Sequence, residues 1–116
     1  MEKTLTINLE NYRAEDKVTH VKAKVFTGRD RGKDVREKSK IDQIEAVNEK
    51  VVIEIPADIY SINPSFFEEL FFNVVTKLKK DGFLSKFSIH SCGEYDFQDE
   101  LMEAIDRILN DTTAIG

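Results

Sequence analysis

The sequence predicts a small α/β domain with the element order β-β-α-β-α-β-α, on three observations. Residues 4–9 alternate polar and apolar side chains, which is typical of a strand with one buried face. Residues 50–55 are rich in β-branched side chains, as in a buried central strand. Residues 94–110 place their apolar side chains within about 100° of arc, which predicts a helix that packs on a sheet. These apolar positions are Phe97, Leu101, Ala104, Ile105 and Ile108.

The remaining N-terminal elements are a second strand and a broken helix. Residues 20–26 repeat the alternation, so residues 1–27 predict an antiparallel β-hairpin around the polar segment 11–17. Thr27 predicts the cap of a helical stretch that reaches about Val47. A break is expected near Ser39, because Val35 and Ile41 do not share one helix face.

The C-terminal half predicts one long helix, one strand and the final helix. Asn63-Pro64 is typical of a helix start, and Asp81-Gly82 predicts its end after about Lys80. Residues 86–91 predict the last strand, and residues 111–116 are expected to form a frayed tail. Strands and helices that alternate at this spacing predict parallel pairing, with helices packed on the sheet.

Composition restricts the function classes. The 116 residues suit one domain, and the net charge of −5 argues against nucleic acid as the main partner. No apolar run approaches the roughly 18 residues of a membrane span, and no segment has the pattern of a signal peptide. The single cysteine, Cys92, fits a reducing compartment. We therefore expect a cytoplasmic protein that does not bind a membrane.

Enzymatic chemistry has weak support in this sequence. His90 and Cys92 lie two residues apart at a strand end, where a Cys–His nucleophile pair is one interpretation. A strand end with a small buried thiol is the other, and we favour it because no orienting residue follows. His20 stands alone, so we expect no metal site. We expect no catalysis and no cofactor.

The one basic stretch is residues 29–40, which carry six basic and three acidic side chains. Gly28, Arg29, Gly32 and Arg36 form a candidate anion site at a helix start, for a nucleotide or a phosphate. Alternatively, the stretch is a solvated charged helix, or it docks on an acidic surface of a partner, or it forms the contact of a homodimer. In the homodimer the stretch would face the acidic C-terminal helix, since residues 94–116 hold seven acids and one arginine.

The start of the long helix is the candidate partner-binding surface. Ser65 lies in the first turn and is a candidate phosphorylation site, where a phosphate would add about −2 charge. The alternative interpretation is that serine is present only because it is favourable in the first turn of a helix. Phe72 falls about 150° from the centre of the apolar arc of the helix, which favours an exposed residue that contacts a partner. The alternative is that Phe72 packs under a neighbouring helix or the hairpin. The predicted contact residues are Ser61, Asn63, Ser65, Glu68, Glu69 and Phe72.

Residues 28–109 resemble the STAS-like domains of uncharacterised function, relatives of the anti-sigma-factor antagonist domains. The resemblance rests on a set of positions spread over about 80 of the 116 residues. The matching marks are Gly28-Arg29, Gly32, Val35-Arg36, Val51-Val52-Ile53-Glu54-Ile55, Ile62, Ser65-Phe66, Glu68-Glu69-Leu70-Phe71, and the closing strand and helix.

The resemblance implies a four- or five-stranded mixed sheet with helices mainly on one face. It also implies a non-enzymatic regulatory protein whose partner is an ATP-binding protein of the histidine-kinase ATPase type. In the antagonist relatives, the partner phosphorylates a serine in an Asp-Ser-Ser-Gly motif and is thereby released. Here Asn63-Pro64-Ser65-Phe66 fills that motif, so Pro64 takes the usual acceptor position and Ser65 follows it.

Overall fold

The computed structural model describes residues 3–115, with side chains described through residue 110. The chain forms an α/β fold with five α-helices and five parallel-paired strands in this part. In chain order the elements are β1 (Thr4–Asn8), a short 3₁₀ helix (Leu9–Tyr12), β2 (Val25–Phe26), α1 (Arg29–Ser39), α2 (Ile41–Val47), β3 (Lys50–Ile55), β4 (Ser61–Ile62), α3 (Pro64–Leu70), α4 (Phe72–Lys86), β5 (Phe87–Ser91) and α5 (Gln98–Ile115).

The strands form two parallel sheets. The larger has the order β1-β3-β5, with β3 in the centre, and the smaller pairs β2 with β4. The predicted antiparallel pairing of the first two strands is therefore wrong, and so is a single four- or five-stranded sheet. β1 pairs with β3 because Ile7 lies opposite Ile53, and Ile53 lies opposite Ile89, which extends one apolar face across three strands. Between β1 and β2 the chain makes only a small hairpin with one antiparallel bridge, Glu15 to Lys22.

One face of the larger sheet is buried in the core. Burial alternates along β3, where Val51, Ile53 and Ile55 are fully buried and the residues between them are half-buried. On the opposite face, Glu54 and His90 are partners in the register of β3 and β5. This alternation is the pattern of a sheet covered on one face.

Helix α1 ends where the sequence predicts a break, and it differs from the prediction only in the residue that caps its start. The break after Ser39 is confirmed, since Lys40 adopts a left-handed conformation with φ of 58° between α1 and α2. The cap is Gly28 and not Thr27, because the backbone there has a φ of 88°, which glycine adopts without steric cost.

The predicted long helix is two helices. Asn63 caps α3 and Pro64 is its first residue, as predicted. Phe71 then separates α3 from α4, and Lys79 interrupts α4 with a φ of 63°, close to the predicted end. Gly82 does not end the helix, because the next residue, Phe83, is fully buried and stacks on Phe87 with ring centroids 4.7 Å apart.

The core is built around a chain of phenylalanine rings. Each ring lies 4.7 to 6.0 Å from the next, so α3, α4 and the strands are joined through continuous aromatic contact. The rings in this chain are Phe26, Phe66, Phe67, Phe71, Phe83 and Phe87.

Helix α5 covers the core with the face that its sequence predicts, since the five predicted apolar positions are all buried. The helix begins at Gln98, four residues later than predicted, because the Asp96 carboxylate accepts the Gln98 N–H in a turn. The frayed tail at 111–116 stays a prediction, because the side chains after Asn110, and Gly116 altogether, lie outside the described residues. In the part of the chain that the structure describes, no helix is long and apolar enough to cross a membrane.

Candidate partner-binding surface

The candidate site lies where β3 ends and α3 begins. In open α/β sheets, ligands bind outside the carboxyl ends of the strands, where connecting loops meet. Here β3 ends at Ile55, and residues 56–60 lead into β4 and α3. Cys92, just after β5, donates its backbone N–H to Ile55 O at 2.9 Å, so the two loops meet at this edge.

Backbone hydrogen bonds fix the loop before α3. Tyr60 donates its N–H to Lys24 O at 3.0 Å, and Asn63 donates its N–H to Phe26 O at 2.9 Å. From the other side, the Tyr95 hydroxyl accepts the Ile62 N–H at 3.1 Å and donates to Ile62 O at 3.3 Å. The loop is therefore held by strand-like backbone bonds on one edge and by a side-chain hydroxyl on the other.

The loop before α3 exposes one polar side chain, Asn63, and one aromatic ring, Tyr60. Asn63 is exposed, and its Oδ1 accepts both the N–H and the hydroxyl of Ser65 at 3.0 Å. Ser61 and Ser65 are half-buried. Tyr60 is 68% exposed, the largest exposed fraction of any aromatic side chain described here. Sequence reasoning missed Tyr60, although its place directly after the turn that follows a buried strand is a usable signal.

Arg13 ties this loop to the small hairpin. Its side chain is 5% exposed, and its guanidinium donates to both oxygens of Asp58 at 2.9 Å and to Ala23 O. It also contacts Glu10 at 3.0 Å. The hydrogen bonds from Arg13 hold the pKa of the Asp58 carboxyl below its ordinary value, and bonds from Lys22 and Arg13 do the same for Glu10. Sequence reasoning missed this clamp, because its members lie up to 45 residues apart.

Replacing Arg13 with glutamine is expected to raise the pKa of Asp58 toward its ordinary value of 3.8. Because the pKa is lowered in the folded state, the stabilisation is present above pH 3.8 and is lost as the pH falls through the folded-state value. An NMR titration of side-chain carboxyl carbons measures this change. Asp16 is the internal control, since its pKa is lowered mainly by the backbone N–H groups of Thr19 and Val18. A rise at Asp16 equal to that at Asp58 would contradict the role given to Arg13.

The acidic pair of α3 is used inside the fold. Glu68 is 3% exposed and binds Arg29, with Oε1 3.1 Å from Nη1, while Arg107 of α5 lies 3.8 Å away. The expectation that Glu68 lies at an exposed contact is therefore wrong. Glu69 is half-buried and pairs with Arg36, whose Nη1 lies 3.3 Å from Oε1.

These ion pairs also change the interpretation of the basic stretch. Arg29 and Arg36 bind acids of α3, and Gly28 supplies the positive φ of the helix cap. Gly32 allows α1 to approach α3, because a Cβ there would stand 2.5 Å from Phe66 O. Three residues of the candidate anion site, Arg29, Gly32 and Arg36, thus build the α1–α3 contact, and Gly28 caps α1, so we propose no anion site there.

Phe72 is not exposed to the extent that its sequence favours. It is half-buried and packs against the core cluster, while the neighbouring Phe71 is fully buried. His90 is exposed on the open face of the sheet, and Cys92 is exposed after the end of β5, so the expectation of a buried thiol is wrong. Among residues 3–110, no hydrogen bond joins these two side chains, and no three histidine, cysteine or acidic side chains gather as a metal site would require.

The chain was compared with known proteins by sequence and by fold. No protein-family model, curated protein or solved structure matches it.

Proposed function

We propose that this chain is a cytoplasmic, non-enzymatic regulatory module that binds a protein partner through the loop and helix start at residues 57–65. The observation that carries the proposal is the exposed ring of Tyr60 on a loop that is hydrogen-bonded to the backbone of residues 24–26 and, at Ile62, to the Tyr95 hydroxyl. Aromatic side chains are enriched among interface residues that dominate binding energy. A fixed loop also loses little conformational freedom when a partner binds.

The resemblance to STAS-like domains supports the kind of partner. In the antagonist relatives, the equivalent helix start docks on an ATP-binding protein of the histidine-kinase ATPase type. In this chain Ser61, Asn63 and Ser65 occupy that position, and Asn63 is exposed. We propose the same class of partner, with Tyr60 in place of Phe72 as the aromatic contact and with Glu69 at the edge of the surface.

Ser65 is the residue through which charge would control this surface. Its hydroxyl bonds only to Asn63 Oδ1 within the described residues, and its backbone N–H holds the cap without help from the hydroxyl. A negative charge on this side chain therefore changes the docking surface and leaves the helix start in place. Phosphorylation of Ser65 would be the natural source of that charge.

Replacing Ser65 with glutamate is expected to weaken partner binding by about tenfold or more, because an unpaired charge at an interface opposes docking. Replacing it with glutamine is the matched control, since it has the same size and no charge. Affinity capture from lysate of the native host, followed by mass spectrometry, measures retention. An ATPase-type protein should be retained by the wild type and by Ser65→Gln, and lost with Ser65→Glu.

Two results would contradict the proposal. One is the absence of any ATPase-type protein from the wild-type capture. The other is equal retention by all three proteins, which would remove the α3 start from the interface. Circular dichroism of each variant confirms that lost retention is not lost folding.

A further inference from the structure

A cleft of about 440 Å³ opens beside the proposed partner surface, between the loops that follow β3 and β5. Tyr60 and Asp58 line one wall, and Glu94 and Tyr95 line the other. The two loops approach closely at one point, where a Cβ on Gly93 would stand 2.1 Å from Ala57 O. The cleft is thus lined by two adjacent loops, each of which supplies one tyrosine.

The two tyrosines differ in freedom. Tyr95 is half-buried and its hydroxyl is bonded to both backbone groups of Ile62, so its ring is fixed. Tyr60 is 68% exposed, and its hydroxyl makes no hydrogen bond within the described residues. One wall therefore carries a ring fixed by hydrogen bonds, and the other carries an exposed ring without one in the described residues.

The charge of the cleft is negative. Among its lining residues two are acids and none is basic. Asp58 is bonded to Arg13, whereas Glu94 is exposed and has no ion pair within the described residues. The pKa of Tyr95 is raised by burial and also by the nearby charges of Glu100 and Asp96. The basic groups near this edge, Arg13 and Lys24, act on Asp58 on the opposite wall.

We propose that this cleft binds a cationic side chain, an arginine, presented by the protein partner; this rests on the proposed function. Aromatic faces attract cations through the ring quadrupole, and Tyr60 and Tyr95 supply two rings. Glu94 supplies the carboxylate that a guanidinium can bind through paired hydrogen bonds. Arginine is favoured over lysine, because the guanidinium is planar, stacks on aromatic rings and is more weakly hydrated than an ammonium.

The test uses the full chain and a defined probe, the peptide acetyl-Gly-Arg-Gly-amide. Its matched control carries citrulline, which has nearly the same shape as arginine and no charge. Amide chemical shifts are followed by NMR as each peptide is added. The arginine peptide should shift residues 57–60 and 93–95 in a saturable way, and the citrulline peptide should bind more weakly.

Variants then test the residues of the cleft. Tyr60→Ala should weaken binding of the arginine peptide by about 2- to 5-fold, as expected for an exposed cation–π contact, while Tyr60→Phe should retain binding. Glu94→Gln should also weaken binding of this peptide and make its affinity less dependent on salt concentration. Tyr60 and Glu94 are both exposed, so these changes leave the fold intact.

The inference is overturned if the arginine and citrulline peptides bind alike, if Tyr60→Ala binds as the wild type does, or if tens of millimolar peptide shift nothing. None of these results contradicts the proposed function if Ser65→Gln still captures the partner and Ser65→Glu does not. Conversely, peptide binding with no partner capture would contradict the proposed function and retain the cleft as a cation site.

Discussion

Replacement of Phe71 by alanine is expected to lower the free energy of unfolding by about 3–5 kcal/mol. Phe71 is fully buried at the junction of α3 and α4, and its ring lies 5.0 to 6.0 Å from Phe67, Phe83 and Phe87. Truncation leaves a cavity where three rings meet, and the surrounding elements can close it only in part. Urea unfolding followed by circular dichroism measures the change.

Phe72 provides the control one position along the chain. It is half-buried, so Phe72→Ala should cost clearly less than Phe71→Ala. Equal losses would contradict the different burial of the two rings. A loss of partner binding in Phe72→Ala with the fold intact would return Phe72 to the interface.

Replacement of Gly32 by alanine is expected to lower the free energy of unfolding by about 1–3 kcal/mol. In an exposed helix the same change stabilises by about 1 kcal/mol, so the sign of the effect tests the packing. The added Cβ would stand 2.5 Å from Phe66 O and 2.8 Å from the Glu69 Cβ, so α1 and α3 would have to separate. Separation would also disturb the Arg29–Glu68 and Arg36–Glu69 pairs.

Gly82 is the matched glycine for this measurement. It lies in α4, and a Cβ there would meet only the Leu78 Cβ at 3.2 Å. Gly82→Ala should change the free energy of unfolding by no more than about 1 kcal/mol in either direction. If Gly32→Ala proves stabilising, the close α1–α3 contact is contradicted.

Most helices and strands could be predicted from short sequence patterns, because capping and the spacing of apolar residues depend on neighbouring residues in the chain. The break after Ser39 follows from side-chain angles around one helix, and the start of α3 follows from the cap that Asn63 supplies. Pairing is different, since it depends on residues far apart in sequence. Nothing in residues 4–9 shows that they pair with β3 and not with the next strand along the chain.

The candidate partner-binding surface was also predicted only in part, because some of its contacts join residues far apart in sequence. The loop before α3 could be located from a buried strand followed by Asn63-Pro64. The partners of Arg29 could not, because Glu68 lies 39 residues away and becomes adjacent only when α1 packs on α3. Two arginines of a stretch that resembles a binding site in sequence are thus paired with acids of α3 in the folded chain. The cleft between Tyr60 and Tyr95 likewise exists only after two loops meet.

The pairing of β1 also has a consequence for the order of folding. β1 is made before its partner β3, which begins at Lys50, opposite Thr4. A hairpin could form within microseconds of its synthesis, whereas this strand stays without its partner until β3 has left the ribosome. At roughly 5–20 residues per second, that wait lasts for seconds. β1 therefore waits unpaired during synthesis, and the sheet can assemble only around its central strand, β3.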